Sequence, residues 1–467
     1  MMSVTVLKWP AKKSADAVIA SLRSHPIRDL NLRLMERRAF EAVVWGMPAV
    51  HFELMYQAVA RQGGVWNEVA FWSPLGGWKN QGLAPDPEDV SFMALYDTRM
   101  AGPMVLELPR ADDGAIAASI HNGWQVVLEE LPAAGMEDKV KYLILPPGYD
   151  GAIPSGYRAV PSDTFRGFAL IRIQAGKGGA EDIARAISRG KQIKFYPLVQ
   201  SACPSPTIFL DAGEEVCDST IPYDLRFFEA LNRFVQVEPW LARDRMMIDM
   251  LRSIGIEKAE SFDPDAALQS VLAHAAVEAR AWLDCEYEAA LAVPYFSHGH
   301  WSVPAFPDVL AAIRSNFGRQ SRYRVDRRAL LYSTAFFGAR HLDDDQFYLL
   351  AAKDADGADL DGGAAYRLIV PAPPVDHSWS ATLYDRDSHA LIRGTDRSCR
   401  GSRSRGLRAN PDGSADLFLG VRPPTGRVSN WLATTPGGRF QILFRFRQPR
   451  QSLFDNGWIL PDVQKLQ

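Results

Sequence analysis

At 467 residues the chain is longer than one ordinary domain, and 47% apolar with 23% charged residues is an ordinary globular balance. A formal net charge of −3 excludes a whole-protein field that would draw nucleic acid or an anionic membrane. No stretch reaches about 18 uninterrupted apolar residues, so no membrane-spanning helix is expected.

In chain order, residues 1–16 carry Pro10 and three lysines where a secretory signal needs a continuous apolar stretch. A reducing, cytoplasmic setting is therefore expected. Residues 30–62 read as a helix with Leu34, Phe40, Ala42 and Val43 opening an apolar stripe, and Pro48 is expected to kink or interrupt it. These belong to an N-terminal helical segment, 1–64.

Over 65–215 the pattern becomes short apolar runs between Pro and Gly, at 92–96, 104–108, 142–145, 168–173, 193–196 and 207–210. That rhythm predicts a β-sandwich rather than alternating β-α units. Residues 216–340 return to helical spacing, at 227–235, 243–254, 307–317 and 327–337. Asp263 before Pro264 marks the expected start of the clearest helix. Residues 341–467 return to strand rhythm, at 346–352, 366–370, 379–384, 415–421 and 440–446, with Asp356-Gly357 and Asp412-Gly413 as turns. The expected fold is mainly β: two β-sandwich units joined by a helical segment.

Several stretches together resemble a bacterial two-domain family with an N-terminal domain of unknown function 1254 and a C-terminal domain of unknown function 1214. The C-terminal resemblance rests on residues 354–362, on Trp379-Ser380-Ala381-Thr382-Leu383-Tyr384-Asp385, and on Asn410-Pro411-Asp412-Gly413-Ser414. It continues through Asn430-Trp431-Leu432, residues 440–449 and Gly457-Trp458-Ile459-Leu460-Pro461. The N-terminal resemblance rests on Trp45-Gly46-Met47-Pro48, Asp97, Gly102-Pro103, residues 141–149, and Ser162-Asp163-Thr164 ahead of Arg172. One segment departs: the family's Pro-Asn-x-Asp-Thr-x-Tyr reads Pro85-Asp86-Pro87-Glu88-Asp89-Val90-Ser91 here. The resemblance implies sandwiches of jelly-roll and related type and transfers fold better than mechanism.

The common catalytic and ligand motifs are missing. The four cysteines have no CxxC spacing, and there is no G-x-S-x-G elbow, H-E-x-x-H helix or G-x-G-x-x-G fingerprint. Ala175-Gly176-Lys177-Gly178-Gly179 lacks the ending of a phosphate loop. His298 and His300 lie two apart and would share one side of an extended segment, but no third ligand follows at a recognisable spacing. The acids at 343–345, 354, 356, 359 and 361 miss the calcium-loop pattern, so a hairpin with solvated carboxylates is expected. No metal and no organic cofactor is expected. The basic run from Arg393 to Arg408 has no interleaved aromatics and reads as a solvated loop.

What remains is a polar–aromatic set. Ser380, Thr382 and Tyr384 share one strand face, and Trp379, Ala381, Leu383 and Asp385 the other. Arg445, Asn430, Trp379, Trp431 and Ser380 are the candidate substrate-binding residues, with Tyr384 and Glu229 as candidate catalytic groups. The competing reading makes both tryptophans core and pairs Arg445 with Asp385. The expected function is an enzyme, a hydrolase or lyase, acting by acid/base chemistry on a polar, carbohydrate-like or aromatic small molecule in an interdomain cleft. Two alternatives stand beside it: a non-catalytic small-molecule-binding protein, and a structural protein assembling into homo-oligomers through strand edges. Nucleic acid and membranes are not expected partners.

Overall fold

In the computed structural model, the first element among the described residues is α1 (Ile27–Ala60), 34 residues long, with a polar, partly exposed first half and an apolar second half. Ala39, Ala42, Val43, Met47, Ala49, Val50 and Phe52 are all fully enclosed, as expected where a helix is covered on all sides, whereas Arg33, Arg37 and Glu41 are exposed. Pro48 does not interrupt it. The Pro48 carbonyl instead accepts a hydrogen bond from Gln125 Nε2 at 2.7 Å. The structure describes residues 27–73, 77–82, 85–109, 116–131, 140–304, 324–334, 346–455 and 457–466. The expected helix at 307–317, the stretch 1–16 and the acids at 343–345 lie outside them.

The N-terminal β unit runs through β1 (Glu68–Phe71), β2 (Asn80–Gln81), β3 (Asp89–Asp97), β4 (Met104–Glu107), β5 (Ile116–Asn122) and β6 (Val127–Leu131). It continues with β7 (Lys141–Leu145), β8 (Tyr157–Pro161), β9 (Arg166–Gln174), helix α2 (Ala180–Gly190), β10 (Lys194–Pro197), β11 (Phe209–Asp211) and β12 (Cys217–Asp218). One sheet has the order β11-β1-β3-β9-β5-β6, and a second, β10-β4-β7-β8, packs on it. Alternation along β3 divides its side chains between two cores. Val90, Phe92, Ala94 and Tyr96 fill the sandwich, while Met93 and Leu95 face the helices. Burial on both faces is why this strand reads as an unbroken apolar run.

Helices α3 (Leu225–Val237), α4 (Arg245–Arg252), α5 (Ala266–Leu291) and α6 (Val325–Ser333) pack with α1 into one core. Helix α5 starts later than its sequence suggests. Its cap is Asp265, which accepts from the Leu268 N–H at 2.8 Å, and Pro264 lies outside the helix.

The C-terminal unit comprises β13 (Gln346–Ala351), β14 (Tyr366–Val370), β15 (Val375–Asp385), β16 (Cys399–Gly401), β17 (Ala415–Gly420), β18 (Trp431–Ala433), β19 (Phe440–Pro449) and β20 (Gln464–Lys465). Its sheets, β13-β19-β15-β16 and β18-β17-β14-β20, enclose Phe347, Leu349, Leu368, Leu383, Leu417, Ile442, Phe444 and Phe446. The fold is thus mainly β, two sandwich units joined by helices. The helices do more than link them: Tyr384, Leu443 and Leu350, on the outer face of the C-terminal sheet, share a core with α1 and with Phe168 of β9.

Candidate functional site

The apolar face of β15 and β19 is consumed by the sandwich, which leaves the polar face pointing toward the N-terminal unit. On β15 that face carries Ser378, Ser380, Thr382 and Tyr384, and on β19 Arg445 and Arg447, with Ser380 opposite Arg445 and Ser378 opposite Arg447. Tyr348 of β13 stands opposite Arg445 on its other side, with the guanidinium 5.9 Å from the ring centre.

The segment Pro85–Asp89, leading into β3, covers this face. Its prolines favour extended backbone in the residues before them. Asp86 Oδ1 accepts the Glu88 N–H at 3.1 Å and turns the chain locally. Asp86 Oδ2 lies 2.7 Å from Arg447 Nη2 and 3.7 Å from Arg445 Nε. Asp89 Oδ2 accepts from the same Arg447 nitrogen at 2.8 Å, and Arg403 Nη1 lies 3.4 Å from Asp89 Oδ1. Arg445 donates to Thr382 Oγ1 at 2.9 Å and to the Tyr384 hydroxyl at 2.6 Å. The Tyr384 hydroxyl donates in turn to the Pro85 carbonyl at 2.7 Å.

The carboxylates in this seam are driven apart. Burial alone would raise Asp86, but Arg445 and Arg447 outweigh it and hold the group well below the usual carboxylate range. Glu88 is pushed up to about 7 by burial and by the negative Asp86 and Asp89, against the opposing pull of Arg447 and Arg403. Burial also raises the Tyr384 phenol above its ordinary value, so it remains a hydrogen-bond donor at neutral pH. Two buried oxygens here, Glu88 Oε2 and Ser380 Oγ, have no hydrogen-bond partner among the described residues. Buried polar atoms in native proteins are seldom left unpaired.

The other sequence candidates lie elsewhere. Asn430 accepts from the Arg408 N–H at 2.8 Å and donates to the Arg408 and Asp416 carbonyls, bracing loops of the second sheet. Trp379 stacks on Phe444 inside the sandwich, 5.4 Å between ring centres. Trp431 donates to the Gly420 carbonyl at 2.8 Å under the Arg397 guanidinium. Glu229, half-buried on α3, has Arg226 of its own helix as an electrostatic neighbour. Asp385 accepts from Ser388 and the Asp387 N–H, and lines a separate cleft of about 220 Å³ with Tyr223 and Arg280.

His300 binds Asp462 through its ring and its backbone N–H, and His298 is exposed. Asp354 to Ala358 closes as a turn, with Asp354 Oδ1 accepting two backbone N–H groups. The basic run is not a free loop: Arg397 and Arg400 donate to the Val428 and Ser429 carbonyls, and Arg403 to that of Gly176.

Residue-by-residue reading missed Asp86, Glu88, Asp89, Arg403 and Arg447. A signal was available, because three acids within four positions precede a buried apolar strand, where unpaired charge is costly. The residues that match them lie more than 300 positions away.

Residues 66–197 match the family model described as protein of unknown function (DUF1254), and residues 345–451 match protein of unknown function (DUF1214). No curated protein matches the chain. Among solved structures, the crystal structure of the VPA0106 protein from Vibrio parahaemolyticus has 18% identity and a TM-score of 0.57, covering 94% of this chain and 100% of that one. That likeness is one of fold. A protein from Burkholderia cenocepacia has 14% identity and a TM-score of 0.41, covering 93% of this chain and 94% of that one.

Proposed function

We propose that this chain, which belongs to the two-domain family joining a domain of unknown function 1254 to a domain of unknown function 1214, performs acid–base chemistry on a small polar molecule at its interdomain seam. The observation that carries the reading is Glu88: half-buried, raised to about 7, with Oε2 unpartnered beside arginines that keep Asp86 ionised. Two carboxyls whose environments separate their proton affinities are what general acid–base catalysis needs.

Glu88 is the proton donor and acceptor in this reading. Ser380 Oγ and the Arg445 and Arg447 guanidiniums face the substrate's hydroxyl or carboxylate oxygens. Tyr384 stays protonated and holds Arg445 in place. The seam's cations are Arg172, Arg403, Arg445 and Arg447, against the acids Asp86, Glu88 and Asp89, which favours a substrate bearing negative charge. Hydrolase and lyase chemistry both run on such groups. The absence of Trp379 and Trp431 from the seam favours a polyol or carboxylate over an aromatic ring. Four unpaired cysteines fit a reducing, cytoplasmic setting.

The test is incubation of the purified protein with a small-molecule extract, followed by untargeted mass spectrometry. Wild type should deplete a compound that Glu88→Gln, still folded, leaves intact. A compound retained but never converted would replace the enzyme by a binding protein, and neither outcome would leave only an assembly role.

A further inference from the structure

Outside the seam, helices α1 and α5 bring three metal-ligating side chains together. His274 and Glu278 are four residues apart on α5 and so share one face. Glu36 of α1 reaches that face, and its Oε1 lies 2.5 Å from His274 Nδ1. One donor atom from each of the three falls within 4.8 Å of the others. Glu36 is half-buried, and the other two are open to solvent. Among the described residues, neither glutamate has a lysine or arginine within ion-pair distance, although this chain pairs many of its other surface acids. The cluster thus combines two carboxylates with an imidazole at a helix crossing, with no lysine or arginine paired to it among the described residues.

We propose that Glu36, His274 and Glu278 bind a divalent transition-metal ion of the zinc class, with water completing the coordination, and that the ion staples α1 to α5. The imidazole sets the class: calcium and magnesium take oxygen donors, whereas zinc accepts histidine nitrogen with carboxylate oxygen. Tetrahedral zinc with ligands at about 2.0–2.2 Å needs donor atoms roughly 3.3 Å apart. The His274–Glu36 pair must therefore open by under about 1 Å, which rotation of the exposed imidazole supplies. Both helices belong to the core between the two sandwiches, so the ion would stabilise the layer on which the interdomain seam rests. This site uses residues other than the His298 and His300 pair weighed from sequence.

The experiment titrates the full chain, stripped with chelator, with zinc against a chromophoric competitor, and follows the melting temperature in parallel. One zinc per chain should bind at micromolar concentration or tighter and raise the melting temperature by a few degrees. His274→Ala and Glu278→Gln should each weaken binding by at least about tenfold and cancel the thermal shift. Cys203→Ser, at an exposed thiol of the N-terminal unit, should leave both unchanged. Magnesium should not substitute. Zinc binding that survives in both cluster variants, or no binding in the micromolar range, overturns the proposal.

Discussion

The Arg445 guanidinium lies 2.6 Å from the Tyr384 hydroxyl, which passes a hydrogen bond on to the Pro85 carbonyl at 2.7 Å. A side chain of the C-terminal sheet is thereby tied to the backbone of the N-terminal unit through one phenol. With Asp86 beside its guanidinium, Arg445 is a joint between units, and it stands opposite Ser380 in the strand pairing.

Replacing Arg445 by lysine keeps the charge but removes the fork that serves Thr382, Tyr384 and Asp86 together. Equilibrium urea unfolding should show a loss of about 1–3 kcal/mol. Ligand affinity or turnover should fall at the same time. Asp385→Asn should perturb only the turn at Asp387 and Ser388, because Asp385 is not the partner of Arg445. A variant as stable as wild type would show that the buried bonds of Arg445 contribute nothing.

Glu88 makes stability depend on pH in a direction opposite to most carboxylates. Its folded value, about 7, lies above the unfolded value of 4.5, so between these limits the folded chain holds the extra proton. Its contribution is therefore full below about pH 4.5 and is lost as pH rises through about 7. Relative to Glu88→Gln, wild type should lose roughly 1–3 kcal/mol between pH 5 and 8, read from denaturant midpoints. A gap that stays constant with pH would remove Glu88 as a titrating group.

His51 acts in the acid direction. Burial pushes it from 6.5 down to about 3, and the Gln125 Nε2 amide lies 3.1 Å from its Nδ1. Below about pH 6.5 the unfolded chain takes a proton that the folded chain refuses, so stability falls as the solution is acidified. The stability advantage of wild type over His51→Gln should shrink by roughly 3 kcal/mol between pH 7 and pH 4.

Gly167, in β9, is a packing test independent of any site. A methyl group there would lie 2.2 Å from both the His121 carbonyl oxygen and the Tyr96 hydroxyl. It would therefore split the 2.7 Å bond between those atoms. Gly167→Ala should cost about 1–3 kcal/mol or more in a denaturant titration. Wild-type stability would mean that β5 and β9 separate more easily than their register suggests.

The sequence by itself determined many of the elements and their faces, though not β5, β6, β8 or helix α2. Apolar runs broken by Pro and Gly marked the strands, three-to-four spacing marked the helices, and period-two alternation put Ser380, Thr382 and Tyr384 on one side of β15. These features are local, because they depend on which neighbours along the chain a side chain must point away from. Only the tertiary structure decided what each face meets. Arg447 finds Asp86 across 361 positions, and the carboxylate beside Arg445 is Asp86 rather than Asp385 of its own sheet. Asn430, close to Arg445 in sequence, went to the opposite sheet, and Glu36 came to His274 across 238 positions. Alternation states that a face is polar but carries no information about the chain that will cover it. That choice is made by burial: charges excluded from two apolar cores are stable only where opposite charges meet them.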